Sequence, residues 1–290
     1  MNNFEISWFG PHFGEEPPIS GTKGSGTIFF CRCNLKCVFC QNWQISQELI
    51  ACETVSEVEL LKAIFALQEK GCHNINLVSP TIWTAGLREV LKTAKKKGLK
   101  APILWNSNAY ETVKSLEKLE GLVDIYLPDY KYSEEEPAIK YSGCPGYPKL
   151  AKEAILEMQR QVGDLEVDEN GIAKKGLIVR HLILPGLVEN SKKCLDFIRS
   201  ISDKVHLSLL SQYNPTYKVS DFSSSAYRAR EFPEINRTLK KAEFEEIKAY
   251  VKKLGFKYGW IQEFGRAVEC LNPDFCQENP FDWEVRSLGL

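Results

Sequence analysis

The sequence predicts an α/β fold built on a parallel sheet, open or curled into a partial barrel. Three observations carry this: apolar β-type runs alternate with helical stripes six times, each helix stops at a glycine or a polar turn, and candidate polar side chains cluster just after the strands. A chain of 290 residues suits one large domain of this kind. The expected division is an N-terminal arm over 1–26, a partial barrel over 27–262 and a C-terminal extension over 263–290.

The arm holds Gly10-Pro11, Pro17-Pro18, Gly21, Gly24 and Gly26 and reads as irregular, packed on the barrel. Thr27 to Cys31 is the first strand. Ser56 and Glu59 then form a capping box, Leu60, Leu61, Ile64, Phe65 and Leu67 give a helical stripe, and Gly71 ends it. Strands follow at Asn74 to Val78, Pro102 to Trp105 and Val123 to Leu127, with helices at Leu87 to Lys97 and Glu111 to Leu119 between them. A long polar insertion carries a helix over Tyr147 to Gln161. Leu177 to Leu184 and Val205 to Leu210 are strands around a helix at Ser191 to Ile201. Ala242 to Leu254 is the sixth helix, and Phe256 to Ile261 the last strand.

Composition narrows the function. The 37 Lys and Arg balance 38 Asp and Glu for a net charge of −1, without the basic excess that nucleic acid demands. No apolar run approaches the roughly eighteen residues of a membrane span, and the N-terminus lacks the basic flank and apolar core of a signal peptide, so the cytoplasm is expected. The ten cysteines are accordingly expected to be reduced, some of them as ligands.

Cys33, Cys37 and Cys40 place three thiols within eight residues, in the spacing C-x3-C-x2-C, directly after the first strand. Thiolates suit iron–sulfur clusters, zinc or copper. Ligand number separates these, because structural zinc and electron-transfer clusters take four protein ligands, whereas three leave a metal position open. Zinc remains an alternative if Cys31, Cys52 or a histidine completes the set. Strand alternation would turn Cys31 to the same face as Cys33, although it reads better as a buried neighbour.

The motif, with Phe39 before its last cysteine, resembles the radical S-adenosylmethionine superfamily. That resemblance implies a partial (β/α)6 TIM-like barrel and one [4Fe–4S] cluster whose fourth iron is chelated by S-adenosylmethionine. One electron to the sulfonium then gives methionine and a 5′-deoxyadenosyl radical. Within the superfamily, Phe13 to Pro17 (Phe-Gly-Glu-Glu-Pro) and Cys40-Gln41-Asn42 are similar to the group related to pyruvate formate-lyase activating enzyme, whose members abstract hydrogen from a glycine of a glycyl-radical enzyme. The resemblance runs from Phe13 to about Ile261 and implies an anaerobic oxidoreductase fed by a low-potential donor of the flavodoxin or ferredoxin type.

By the same resemblance, Asn106, Ser107 and Asn108 reach S-adenosylmethionine, Asp129 and Lys131 form the Asp-x-Lys motif, and Arg180 meets the methionyl carboxylate with its guanidinium fork. Two departures stand out. Val78-Ser79-Pro80-Thr81 replaces the Gly-Gly-Glu that binds the methionyl amine, leaving Ser79, Thr81 or backbone carbonyls for that task. Gln212-Tyr213-Asn214 stands where activating enzymes carry Tyr-His, which bears on the choice of target. A radical enzyme acting on a small molecule or peptide, and a noncatalytic metal-binding or electron-transfer protein, are the alternatives.

The remaining candidates have blander readings. Cys52, Cys72 and Cys194 read as core, and Cys144, Cys270 and Cys276 have poor spacing for a second cluster. Glu15 and Glu16 either line the site's mouth or are simply solvated. Glu134 to Glu136 is a surface charge run, His206 a packed histidine, and His181 faces either way. Gly143 to Pro148 is a turn-rich loop, and Ser223 to Arg237 a lid or docking element.

Overall fold

The computed structural model describes residues 2–220, 231–265 and 272–281. Its strands are β1 (Asn3–His12), β2 (Ser25–Phe30), β3 (Glu53–Ser56), β4 (Ile75–Val78), β5 (Ile103–Ser107), β6 (Ile125–Pro128), β7 (Glu166–Val167), β8 (Ala173–Leu182), β9 (His206–Leu210) and β10 (Tyr258–Ile261). The helices are α1 (Pro17–Ser20), α2 (Trp43–Ser46), α3 (Glu57–Glu69), α4 (Thr84–Lys96), α5 (Val113–Glu117), α6 (Glu135–Ser142), α7 (Tyr147–Val162), α8 (Val188–Ile201) and α9 (Lys241–Lys253). None among the described residues is long and apolar enough to cross a membrane.

Strands β2, β4, β5 and β6 are buried at every position, as strands covered on both faces must be. They run parallel, and the sheet order is β10-β9-β8-β6-β5-β4-β2-β1-β3. This is the expected α/β architecture of a partial barrel, with helices on the outside. The capping box at the start of α3 is present: Ser56 Oγ accepts from Glu59 N at 3.3 Å and Glu59 Oε2 accepts from Ser56 N at 2.7 Å.

Two expectations are corrected. The arm is not irregular, since β1 pairs antiparallel with β2 over Ile6 to His12 and with β3 over Asn3 to Ile6. Pro11 is tolerated because it lies beyond the stretch paired with β3, on a free edge where no N–H is needed. Beyond β1 the arm enters the barrel: Ile19 is fully buried against Leu104, Ile125, Leu127 and Ile178. The Glu134 to Glu136 run is exposed, as expected, and starts α6, with Glu135 and Glu136 in the first turn, where carboxylates complement the helix dipole.

The second correction concerns redox state. Cys31 and Cys52 form a disulfide rather than two thiols. Arg32 adopts a left-handed backbone (φ 67°), which breaks the alternation of β2, so Cys31 turns toward Cys52 while Cys33 enters the site.

Candidate active site

The loops that follow β2, β4, β5 and β6 gather at one end of the sheet around a cavity of about 500 Å³. Cys33, Cys37 and Cys40 all line it, with Ser79, Asn106, Ser107, Asn108, Asp129, Lys131 and Arg180. Thr81 does not; it opens a single 3-10 turn beyond Ser79.

Each thiol is held by a polar neighbour. Asn108 Nδ2 lies 3.4 Å from Cys33 Sγ, Ser142 Oγ donates to Cys37 Sγ at 3.0 Å, and Cys40 Sγ is 3.3 Å from Ser46 Oγ. The loop is pinned as well, because Lys36 N and Val38 N donate to the carbonyls of Ser142 and Tyr141 on α6. Burial raises the pKa of all three thiols, and for Cys40 burial and the charge of Cys37 push it up to about 12. Without a metal the thiols are therefore neutral, and loading must release protons.

This donor set fits an iron–sulfur cluster. Cys31 is committed to Cys52 and supplies no fourth sulfur. Among the described residues no three Cys, His, Asp or Glu side chains gather about one ion position, whereas a four-iron cluster asks each thiolate to meet a different iron.

The polar side chains expected at S-adenosylmethionine are themselves well supported. Ser79 has a positive φ of 58°, a backbone that glycine adopts more readily, and its N–H donates to Asn106 O at 3.0 Å. Asp129 Oδ2 accepts from Lys131 Nζ at 2.6 Å. Burial works against the Lys131 charge, yet Asp129 and Cys37 raise its pKa overall. Arg180 is engaged by the arm: Nε donates to Glu16 Oε1 at 2.7 Å, one terminal nitrogen bonds Glu16 Oε2 and Glu15, and the other lies 3.3 Å from Asn106 Oδ1. Glu15 and Glu16 are thus buried in the cavity rather than solvated.

Three supports were not foreseen. Tyr147, buried at the start of α7, shares its one hydroxyl hydrogen between the carbonyls of Asn108 (3.0 Å) and Asp129 (2.8 Å) and accepts from Lys131 N (2.9 Å). Glu111 accepts from Trp105 Nε1 at 3.0 Å and Ser107 Oγ at 2.9 Å, and burial raises its pKa. Ser142 reaches Cys37 from α6. The partners of Tyr147 and Ser142 are distant in sequence, so no local pattern marks those two, whereas Glu111 bonds residues four and six positions before it.

Other candidates leave the site. His181 is buried with Nδ1 on Tyr130 O (2.7 Å) and Nε2 on Ser191 Oγ (2.9 Å), and burial lowers its pKa to about 4. His206 packs on Tyr258 and Trp260. Cys72 and Cys194 are buried in the core, as is Cys144, while Cys276 is exposed. Cys270 and residues 223–230 of the expected lid lie outside the described residues. The segment 272–281 seats Phe275 and Phe281 on Phe29 and is tied to α2 by Gln44, which bonds Asp274 Oδ1 and Phe275 N at 2.9 Å.

No family model matches the chain. It is 34% identical over 249 residues to an uncharacterized protein of Methanocaldococcus jannaschii, covering 83% of this chain and 65% of that protein. Among solved structures, SuiB of Streptococcus suis bound to S-adenosylmethionine superposes with a TM-score of 0.52 at 13% identity, over 83% of this chain and 50% of SuiB. HydG, a maturase of the [FeFe]-hydrogenase, gives 0.53 at 14% identity, over 82% of this chain and 52% of its own. At 13% and 14% identity these likenesses establish a shared fold. The chain therefore has the α/β partial-barrel fold of these proteins.

Proposed function

We propose that the chain is a radical enzyme that cleaves S-adenosylmethionine reductively and uses the product to abstract hydrogen. The cluster, when bound, would supply the electron that splits the sulfonium into methionine and a 5′-deoxyadenosyl radical. Cys33, Cys37 and Cys40 would hold it, and the observation that carries the reading is that a fourth nearby sulfur, Cys31, is tied to Cys52. Ser79, Asn106, Ser107, Asn108, Asp129 and Lys131 would position the co-substrate, whereas Thr81 lies outside the cavity lining. Arg180 would reach a carboxylate only by exchanging Glu15 or Glu16 for it.

The resemblance of Phe13 to Pro17 and Cys40 to Asn42 to the activating-enzyme group favours a glycyl-radical enzyme as target, with a flavodoxin- or ferredoxin-type donor in the cytoplasm. A small molecule or peptide is the second reading, favoured by the buried ionic floor of the cavity. Reconstituted protein reduced with dithionite should convert S-adenosylmethionine to 5′-deoxyadenosine, and Cys37→Ala should not. Anaerobic cell extract should then develop a glycyl doublet in electron paramagnetic resonance if the target is a glycyl-radical enzyme. No 5′-deoxyadenosine from protein with a full cluster would refute the reading.

A further inference from the structure

Strand β5 ends in a turn held by a buried carboxyl. Asn106, Ser107 and Asn108 line the cavity, and Ala109 after them takes a left-handed backbone (φ 61°), which costs a residue that carries a Cβ. Neighbouring groups fix this conformation. Ala109 N donates to Ser107 Oγ at 3.3 Å, and Glu111 N donates to Ala109 O at 2.9 Å. Ser107 Oγ donates in turn to Glu111 Oε2 at 2.9 Å, while Glu111 Oε1 accepts from Trp105 Nε1 at 3.0 Å. The Glu111 side chain thus grips both the strand and the turn. It is buried, but it does not line the cavity.

A second observation joins the neighbouring strand to the same carboxyl. Thr81 Oγ1 is buried with no hydrogen-bond partner of its own, which is rare for a buried polar atom. It lies close enough to Glu111 to act on it: burial raises the pKa of the carboxyl, and Trp105, Ser107 and Thr81 pull it back. The groups acting on Glu111 are an indole and two hydroxyls, not a cation, so its work is hydrogen bonding rather than charge. Thr81 opens the turn that follows Ser79, and Ser79 lines the cavity.

We propose that Glu111 is a positioning residue of the S-adenosylmethionine site. It meets no ligand itself, but it ties the loops after β4 and β5 together and so fixes Ser79, Ser107 and Asn108 where they face the co-substrate. The inference rests on the radical reading above and adds to it a residue that acts from behind the cavity wall. The three thiols lie on the loop after β2, so a change at Glu111 reaches the co-substrate rather than the iron.

The test compares Glu111→Leu, Glu111→Gln and Thr81→Val with wild type, each reconstituted anaerobically. S-adenosylmethionine and the unreactive S-adenosylhomocysteine are titrated calorimetrically. Leucine fills the space without hydrogen bonds, so Kd for both compounds should rise about tenfold at unchanged iron content. Glutamine keeps an acceptor for the indole and donors for the two hydroxyls, so it should restore affinity to within about twofold. Thr81→Val should weaken binding about threefold, and in turnover the loss should fall on KM rather than kcat. Wild-type affinity in Glu111→Leu overturns the proposal. So does a Glu111→Gln variant as weak as Glu111→Leu, which would make charge the working part. If Glu111→Leu fails to fold, Thr81→Val decides, and unchanged affinity there overturns the proposal. Wild-type protein that has a full cluster but neither binds S-adenosylmethionine nor forms 5′-deoxyadenosine refutes the radical reading and this assignment with it. Wild type that does both, beside a Glu111→Leu variant that binds equally well, refutes the assignment alone.

Discussion

Ser142, at the end of α6, donates a 3.0 Å hydrogen bond to the sulfur of Cys37, 105 residues before it in the chain. Hydrogen bonds to ligand sulfurs stabilise the more negative, reduced state of a cluster. Ser142→Ala should keep full iron content while shifting the cluster potential negative by roughly 40 mV, the one-electron equivalent of about 1 kcal/mol. A redox titration followed by electron paramagnetic resonance reads the shift, and an unmoved potential would mean that the contact does not reach the ligand thiolate.

Tyr147 ties the ends of β5 and β6 together through one hydroxyl. Tyr147→Phe removes the hydrogen shared by two carbonyls and the acceptor of the Lys131 N–H, and should cost about 2 kcal/mol in urea unfolding. Iron content should be retained, and S-adenosylmethionine affinity should fall several-fold because Asn108, Asp129 and Lys131 lose their common anchor. Wild-type affinity in the variant would remove Tyr147 from the positioning of that group.

The Cys31–Cys52 bridge closes a loop spanning 21 positions. In the chain-entropy account, Cys52→Ser should lower stability by about 3 kcal/mol. Non-reducing peptide mapping should recover the cross-linked pair, and Cys31→Ala should load a full complement of iron. Loss of iron from Cys31→Ala would instead make Cys31 a ligand.

His181 gives a pH dependence of definite sign. Folded, its imidazole stays neutral down to about pH 4, whereas in an unfolded chain it protonates from about pH 6.5. The unfolded state therefore binds more protons between these limits, and stability falls as pH drops through that window, by up to about 3 kcal/mol from this group. His181→Gln should flatten the difference between urea midpoints at pH 7 and pH 5 relative to wild type; an identical slope would show that His181 does not titrate on unfolding.

The parallel strands and the cysteine loop were legible because their signals are local. Ile125 to Leu127 is a continuous apolar run, Ile75 to Val78 is apolar but for Asn76, and three thiols within eight residues need no distant partner. Strand β1 was not legible, because Gly10 and Pro11 are turn residues whose cost vanishes only on an edge that the sequence does not announce. The same holds for Glu15 and Glu16, which look like a solvated pair until Arg180, 164 residues away from Glu16, is folded over them. Cys31 misled for a smaller reason: one left-handed residue, Arg32, reverses the face on which alternation places it.

The way Ile19 sits among Leu104, Ile125 and Ile178 makes the arm less a cover than a mould. The strands curve around a peg supplied by their own chain, so the enclosure and its charged base must come into being in a single cooperative event. A version shortened by its first two dozen residues would not be an open-bottomed enzyme; it would be a sheet with bare aliphatic side chains and an unpaired Arg180 where its binding chamber belongs.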